Sequence, residues 1–184
     1  MSGRVAVTGA AGKLGRAVVR ELIEQGWDVL SVDRARPAEF HGEFVAADLT
    51  DYAQVLEILT GRIDEHGGAL DAVVHLAAIP APGLVTNSAT FTNNAAASWN
   101  VFNAARAAGV RNVVWASSET VLGLPFETPP PYVPVDEEYR VRPESTYSLL
   151  KALEEEMSPH LSRWDPLLKM IGLRFPIFMD PQDY

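Results

Sequence analysis

The sequence predicts an α/β protein with a doubly wound parallel sheet and helices on both faces, and three observations carry that expectation. Short apolar, β-branched runs alternate with stretches of helix-forming composition. Several of the runs are too apolar to be half-exposed, as in strands buried on both faces. A glycine-rich turn falls between the first run and the first helix. Strand–helix alternation requires crossovers, which are right-handed and lay the strands parallel.

Taken in order, strands are expected at Arg4–Thr8, Asp28–Val32, Glu43–Ala46, Leu70–His75, Asn112–Ser117 and Leu168–Phe175. Helices are expected at Leu14–Gln25, Tyr52–Glu65, Asn87–Ala108 and Ser145–Arg163. The segment from Leu124 to Pro143 is rich in proline and has neither period, so it reads as an ordered loop or a flexible flap. A loop of that length inside a compact domain tends to be functional or disordered, and its place just before the candidate catalytic residues favours function. There is no internal repeat and no block of like charge.

Composition narrows the function. With 184 residues, 47% hydrophobic and 21% charged, a single core is the default. The chain has no cysteine, which excludes disulfides, thiolate catalysis and cysteine-ligated metals, and no metal site is expected. A net charge of −9 without a Lys/Arg cluster argues against a nucleic-acid partner. The longest apolar stretches, such as Ala69 to Ile79, are too short to span a bilayer, and the first residues already read as a strand, so a cytoplasmic protein with no membrane partner is expected.

After the first strand, Thr8-Gly9-Ala10-Ala11-Gly12-Lys13-Leu14-Gly15 sets three glycines at the spacing of a dinucleotide-binding turn in the Rossmann arrangement. Gly9 permits the tight turn, Gly12 lets the backbone approach a pyrophosphate, and Gly15 lets the helix sit close to the sheet, its N-terminal dipole facing the anion. Asp33 closes the second strand about 20 residues on, where an acidic side chain accepts hydrogen bonds from the adenosine ribose. A carboxylate there repels a 2′-phosphate, which favours NAD over NADP; Arg34 and Arg36 follow at once and work against that repulsion. Asp33 has a second reading as a turn cap. Asp48 stands where it meets the adenine edge or, equally, caps the next helix.

Tyr147 and Lys151 lie at i and i+4 and project from one helix face. A cation about 4 Å away, at an effective dielectric of ~20, stabilises phenolate by up to ~4 kcal/mol before desolvation is subtracted, so Lys151 is expected to lower the Tyr147 pKa. Ser117-Ser118 ends the fifth strand, on the carboxyl edge where open α/β sheets bind ligands.

These residues resemble the extended short-chain dehydrogenase/reductase family, the NAD-dependent epimerase/dehydratase group, and the likeness spans nearly the whole chain. It is carried by Thr8–Gly15, Asp33, Asp48-Leu49, His75-Leu76-Ala77-Ala78, the helix Asn94 to Arg106, Ala116-Ser117-Ser118, Pro134-Val135-Asp136-Glu137, Tyr147 with Lys151, and Leu173-Arg174-Phe175. The resemblance implies Tyr147 as general acid/base, Lys151 as the partner that lowers its pKa and holds the nicotinamide ribose, and Ser118 as hydroxyl donor to the reacting oxygen, with Ser117 structural. Ser118 is chosen because the family's hydroxyl precedes its strand-end glycine by five positions, and Gly123 matches that glycine. It further implies a dinucleotide lying along Gly9, Gly12, Lys13, Leu14, Gly15, Asp33, Asp48, Leu49, Leu76, Ala77, Ala78, Tyr147, Lys151, Pro176 and Ile177, with Asn94 bracing the site.

Departures from the family pattern bear on the chemistry. Its sugar-nucleotide dehydratases place Glu two positions after the catalytic hydroxyl, where this chain has Thr120; Glu119 is one residue early, on the opposite face of an extended backbone. Leu122 and Leu150 replace a usual aromatic and a usual Ser. The glycine turn and Ser-Ser stretch also resemble those of uronate dehydrogenases. The implied activity is NAD-dependent oxidation or epimerisation of a sugar or sugar-nucleotide, with a silent dinucleotide-binding domain as the rival reading and a dehydratase third. The resemblance further implies a homodimer through Asn87–Ala108 and Ser145–Arg163, and a carboxy-terminal substrate lobe beyond Tyr184, without which turnover is expected to be poor.

Overall fold

The structure, a computed structural model, describes residues 3–37, 42–63, 66–124 and 126–179. In chain order its elements are β1 (Arg4–Thr8), α1 (Lys13–Glu24), β2 (Asp28–Asp33), β3 (Glu43–Ala46), α2 (Tyr52–Leu59), β4 (Ala72–His75), α3 (Asn87–Ala108), β5 (Asn112–Ser118), a 3₁₀ turn (Glu119–Leu122), α4 (Thr146–Trp164) and β6 (Lys169–Phe175). All strand pairs are parallel, in the order β3-β2-β1-β4-β5-β6. The order reverses between β1 and β4, so the crevice that binds ligands in such sheets opens beyond Thr8 and His75, which are in register.

Alternation along β1 sorts the core into two layers. Val5 and Val7 pack with Val19 of α1 and Val29 of β2, while Ala6 faces the opposite layer with Leu30, Val73, Val113 and Trp115. That second layer also holds Val55 and Ile58 of α2, Val101 and Phe102 of α3 and Leu161 of α4. Three helices thus cover one face and α1 the other. The doubly wound expectation holds, but burial on both faces does not extend to β6: Ile171 and Leu173 are exposed, because among the described helices none lies over that end of the α1 face.

Several boundaries differ from expectation. The second helix stops at Leu59, where Thr60 turns its hydroxyl onto the Leu56 carbonyl at 2.7 Å and Gly61 takes φ +67°; residues 64 and 65 of the expected span lie outside the described residues. The fourth strand starts at Ala72 instead of Leu70, whose side chain joins the core. The fifth continues through Ser118 and then winds into the 3₁₀ turn, so the extended-backbone argument against Glu119 does not apply there. Helix α4 runs through Pro159, which has no N–H for the Glu155 carbonyl; the Ser158 hydroxyl donates to that oxygen at 3.2 Å instead. Within the Leu124–Pro143 segment, Tyr139 is buried beside the Phe126 and Tyr132 rings, and Arg142 N–H donates to the Val121 carbonyl at 2.8 Å.

Candidate active site

The glycine turn is built by close approach. Gly9 has φ +72°, and a Cβ there would stand 2.6 Å from the Ala77 amide nitrogen. A Cβ on Gly15 would meet the Gly9 carbonyl at 2.0 Å, so this glycine lets the helix approach the turn itself, where the sequence reading had it approaching the sheet. Gly12 is different: it caps α1, and its added Cβ would meet one neighbour, the Gly9 carbonyl, at 3.2 Å. No side chain caps α1 and its first turn contains no acid. The surface over Gly12 is therefore free of Cβ, with the start of α1 and its helix dipole behind it, which fits a pyrophosphate. Lys13 is exposed and Leu14 half-buried beside it.

At the end of β2, Asp33 accepts from the Ala11 and Arg34 amides at 2.9 and 2.7 Å. It ties the glycine turn to the second strand and stands, half-buried, at the rim where a ribose would lie. Arg34 reaches across to Asp48 Oδ1 at 3.5 Å and Asn93 Oδ1 at 2.5 Å, so its guanidinium is committed to those oxygens. Asp48 is not the cap of α2. Asp51 takes that role, accepting from the Ala53 amide at 2.9 Å, while Asp48 accepts from the Thr50 amide and hydroxyl, which with Arg34 hold its carboxyl below the usual range. Leu49 turns its side chain into the core, leaving its backbone to the Asn100 amide group at 2.9 Å.

Leu76, Ala77 and Ala78 follow β4, half-buried along the crevice. Asn94, buried in α3, clasps Ile79 from both sides, accepting from its amide at 2.8 Å and donating to its carbonyl at 3.1 Å. It braces the loop after β4. Pro176 and Ile177 follow β6 and are exposed.

The structure brings Ser118, Tyr147 and Lys151 together at the carboxyl edge of β5. Ser145 caps α4, exchanging hydrogen bonds with Ser148, and so fixes the first turn that carries Tyr147. Ser118 Oγ accepts from the Thr120 amide at 3.2 Å and hydroxyl at 2.9 Å, which leaves its own proton for an oxygen in front of it. Ser117 turns the other way, donating to Glu155 at 2.6 Å, and Glu155 grips Arg174 of β6 through two further bonds.

The electrostatics correct one expectation. Burial pushes the Tyr147 phenol above its ordinary value, the Ser118 hydrogen bond pulls it back, and the Glu154 charge pushes it up again, so the net direction is upward, not downward. Lys151 does not counter that rise. Its ammonium is 5.9 Å from the Tyr147 ring centre and donates to Glu154 at 2.8 Å, with both side chains buried. Sequence reasoning missed Glu154, and with it Ser98 and the role of His75. The available signal was a helical one: Tyr147, Lys151 and Glu154 at i, i+4 and i+7 share one face.

Residues 5–177 match the family model described as the NAD dependent epimerase/dehydratase family. The chain is 28% identical over 193 residues to UDP-glucose 4-epimerase 2 of Oryza sativa subsp. japonica, covering 98% of this chain and 46% of the relative. A short-chain dehydrogenase/reductase superfamily protein from Agrobacterium tumefaciens, solved with bound NAD, is 34% identical with a TM-score of 0.78 over 94% of this chain and 48% of that one. A mutated uronate dehydrogenase is 30% identical with a TM-score of 0.73 over 92% of this chain and 57% of that one. The chain spans about half the length of the curated relatives it matches.

Proposed function

This chain belongs to the NAD-dependent epimerase/dehydratase family, and on that premise we propose that it serves NAD-dependent oxidation or epimerisation of a sugar or sugar-nucleotide through Ser118, Tyr147 and Lys151. One observation carries the reading: a buried strand-end hydroxyl is hydrogen-bonded to a helix-borne phenol on the edge that also carries the glycine turn. Gly9, Gly12 and the first turn of α1 would hold the pyrophosphate, Asp33 the adenosine ribose, and Lys151 the ribose beside the reacting centre. NAD, when bound, supplies the hydride acceptor. Ser118 donates to the substrate oxygen and fixes its place, and Tyr147 takes or returns the hydroxyl proton. Asp33, together with an Arg34 already engaged by Asp48 and Asn93, supports NAD over NADP. The Thr120 hydroxyl, spent on Ser118, is no substitute for the carboxylate of a dehydratase.

A second reading, a dinucleotide-binding domain without turnover, is favoured by the Lys151–Glu154 pair, which occupies the ammonium. Incubation with NAD and a panel of sugars, uronic acids and sugar-nucleotides, read by reduced-nicotinamide absorbance and by product analysis, separates the two. Turnover of one member, reduced at least ~100-fold in Tyr147→Phe with NAD affinity retained, supports the enzyme. Binding of NAD without turnover of any member supports the silent domain and overturns the proposal.

A further inference from the structure

Lys151 stands at the end of a buried polar chain that begins beneath the glycine turn. Thr8, the last residue of β1, places Oγ1 2.7 Å from His75 Nδ1 on β4. His75 Nε2 lies 3.2 Å from Ser98 Oγ on α3, the Ser98 hydroxyl donates to Glu154 Oε1 on α4 at 2.6 Å, and Glu154 Oε2 accepts from Lys151 at 2.8 Å. All five residues are buried, Glu154 to 2% exposure. Because Ser98 spends its proton on the carboxylate, its oxygen must accept from His75 Nε2–H. His75 Nδ1 is then the acceptor for the Thr8 hydroxyl, the tautomer of a neutral ring. The chain runs in one direction with every member paired, a condition under which buried polar groups fix one geometry.

The Tyr147–Lys151 arrangement accounts for none of this. A lysine that serves a neighbouring phenol needs its charge unspent, yet here a carboxylate one turn along neutralises it inside the protein. We propose that Glu154 is a positioning residue: it holds the Lys151 ammonium in a neutralised pair, so that the site rests with the Tyr147 phenol protonated and the lysine withheld from it. The proposal rests on the reading of Tyr147 as the acid/base group. The upward direction of the Tyr147 titration, to which Glu154 contributes, agrees with it. The groups facing the pair are Tyr147 from α4 itself, neutral His75 from β4 behind Ser98 of α3, and the Trp115 ring from β5, 6.0 Å from the ammonium. Glu155, next on α4, is turned toward Ser117 and Arg174.

The test needs neither cofactor nor turnover, so it stands or falls apart from the proposed function. Tyrosine ionisation is titrated by near-ultraviolet absorbance, with Tyr147→Phe subtracted to isolate Tyr147. Glu154→Gln is expected to lower the Tyr147 midpoint by about one unit or more, a tenfold gain in phenolate at a given pH, and adding Lys151→Met to Glu154→Gln is expected to raise it again, because the released ammonium is then lost. An unmoved midpoint in a folded Glu154→Gln protein, or a Glu154→Gln midpoint that Lys151→Met does not raise, overturns the proposal. If Glu154→Gln does not fold, the parent decides. The chain has three lysines, Lys13, Lys151 and Lys169, of which Lys13 and Lys169 are exposed. With ¹⁵N-labelled lysine, one ammonium signal protected from solvent exchange supports the pair, and three freely exchanging signals contradict it.

Discussion

At His75 the imidazole is enclosed between Thr8 and Ser98, and burial, reinforced by the Lys151 charge, lowers its pKa to about 3. Its folded pKa is below the ordinary value of about 6.5, so the unfolded chain binds the extra proton between those pH values. The neutral ring's contribution is complete above about pH 6.5 and is lost as pH falls toward 3. Between pH 6.5 and 5 the loss is on the order of 2 kcal/mol. We expect denaturant midpoints to fall across that interval in the parent and to stay flatter in His75→Gln; parallel pH profiles would remove His75 from the acid response. At this scale the sequence showed the residue types but not their partners. Ser118, Tyr147 and the glycines were readable because spacing along one strand or helix places them. Ser98 and Glu154 were not, because they sit 56 positions apart and only the packing of α3 against α4 makes them neighbours.

Helices α3 and α4 keep large apolar side chains on the surface: Phe91 and Trp99 on one, Leu149 and Leu153 on the other, each between 41% and 46% exposed. Adjacent helices that each expose apolar side chains are suited to pairing with a second copy of themselves, which a two-fold axis makes self-complementary. We expect the parent to sediment as a dimer at micromolar concentration and Leu153→Glu to sediment as a monomer with unchanged helix content; a monomeric parent would contradict this. Element types were legible from period and composition, and most boundaries fell within two residues. The misses have local causes. The overlong second helix reflects continued helix-forming composition past the Thr60–Gly61 stop, and the 3₁₀ turn is too short to show a period.

Across the whole molecule, three helices crowd one face of the sheet and α1 alone covers the described part of the other. The uneven cover was illegible in the sequence, since β6 is as apolar as the buried strands and only helix placement leaves Ile171 and Leu173 exposed. The crevice at the strand-order reversal was legible, because the glycine turn, Asp33 and Ser118 all end strands on one edge. The account's central claim is that this edge holds a dinucleotide over Gly12. It is tested most directly by calorimetric titration of NAD into the parent and into Gly12→Ala, whose added Cβ would press on the Gly9 carbonyl at 3.2 Å and, on the proposed reading, stand against the pyrophosphate. The account predicts stoichiometric NAD binding by the parent and at least a ~10-fold weakening in a folded Gly12→Ala protein. A folded parent that binds no NAD, or a Gly12→Ala protein that binds it equally well, would contradict it.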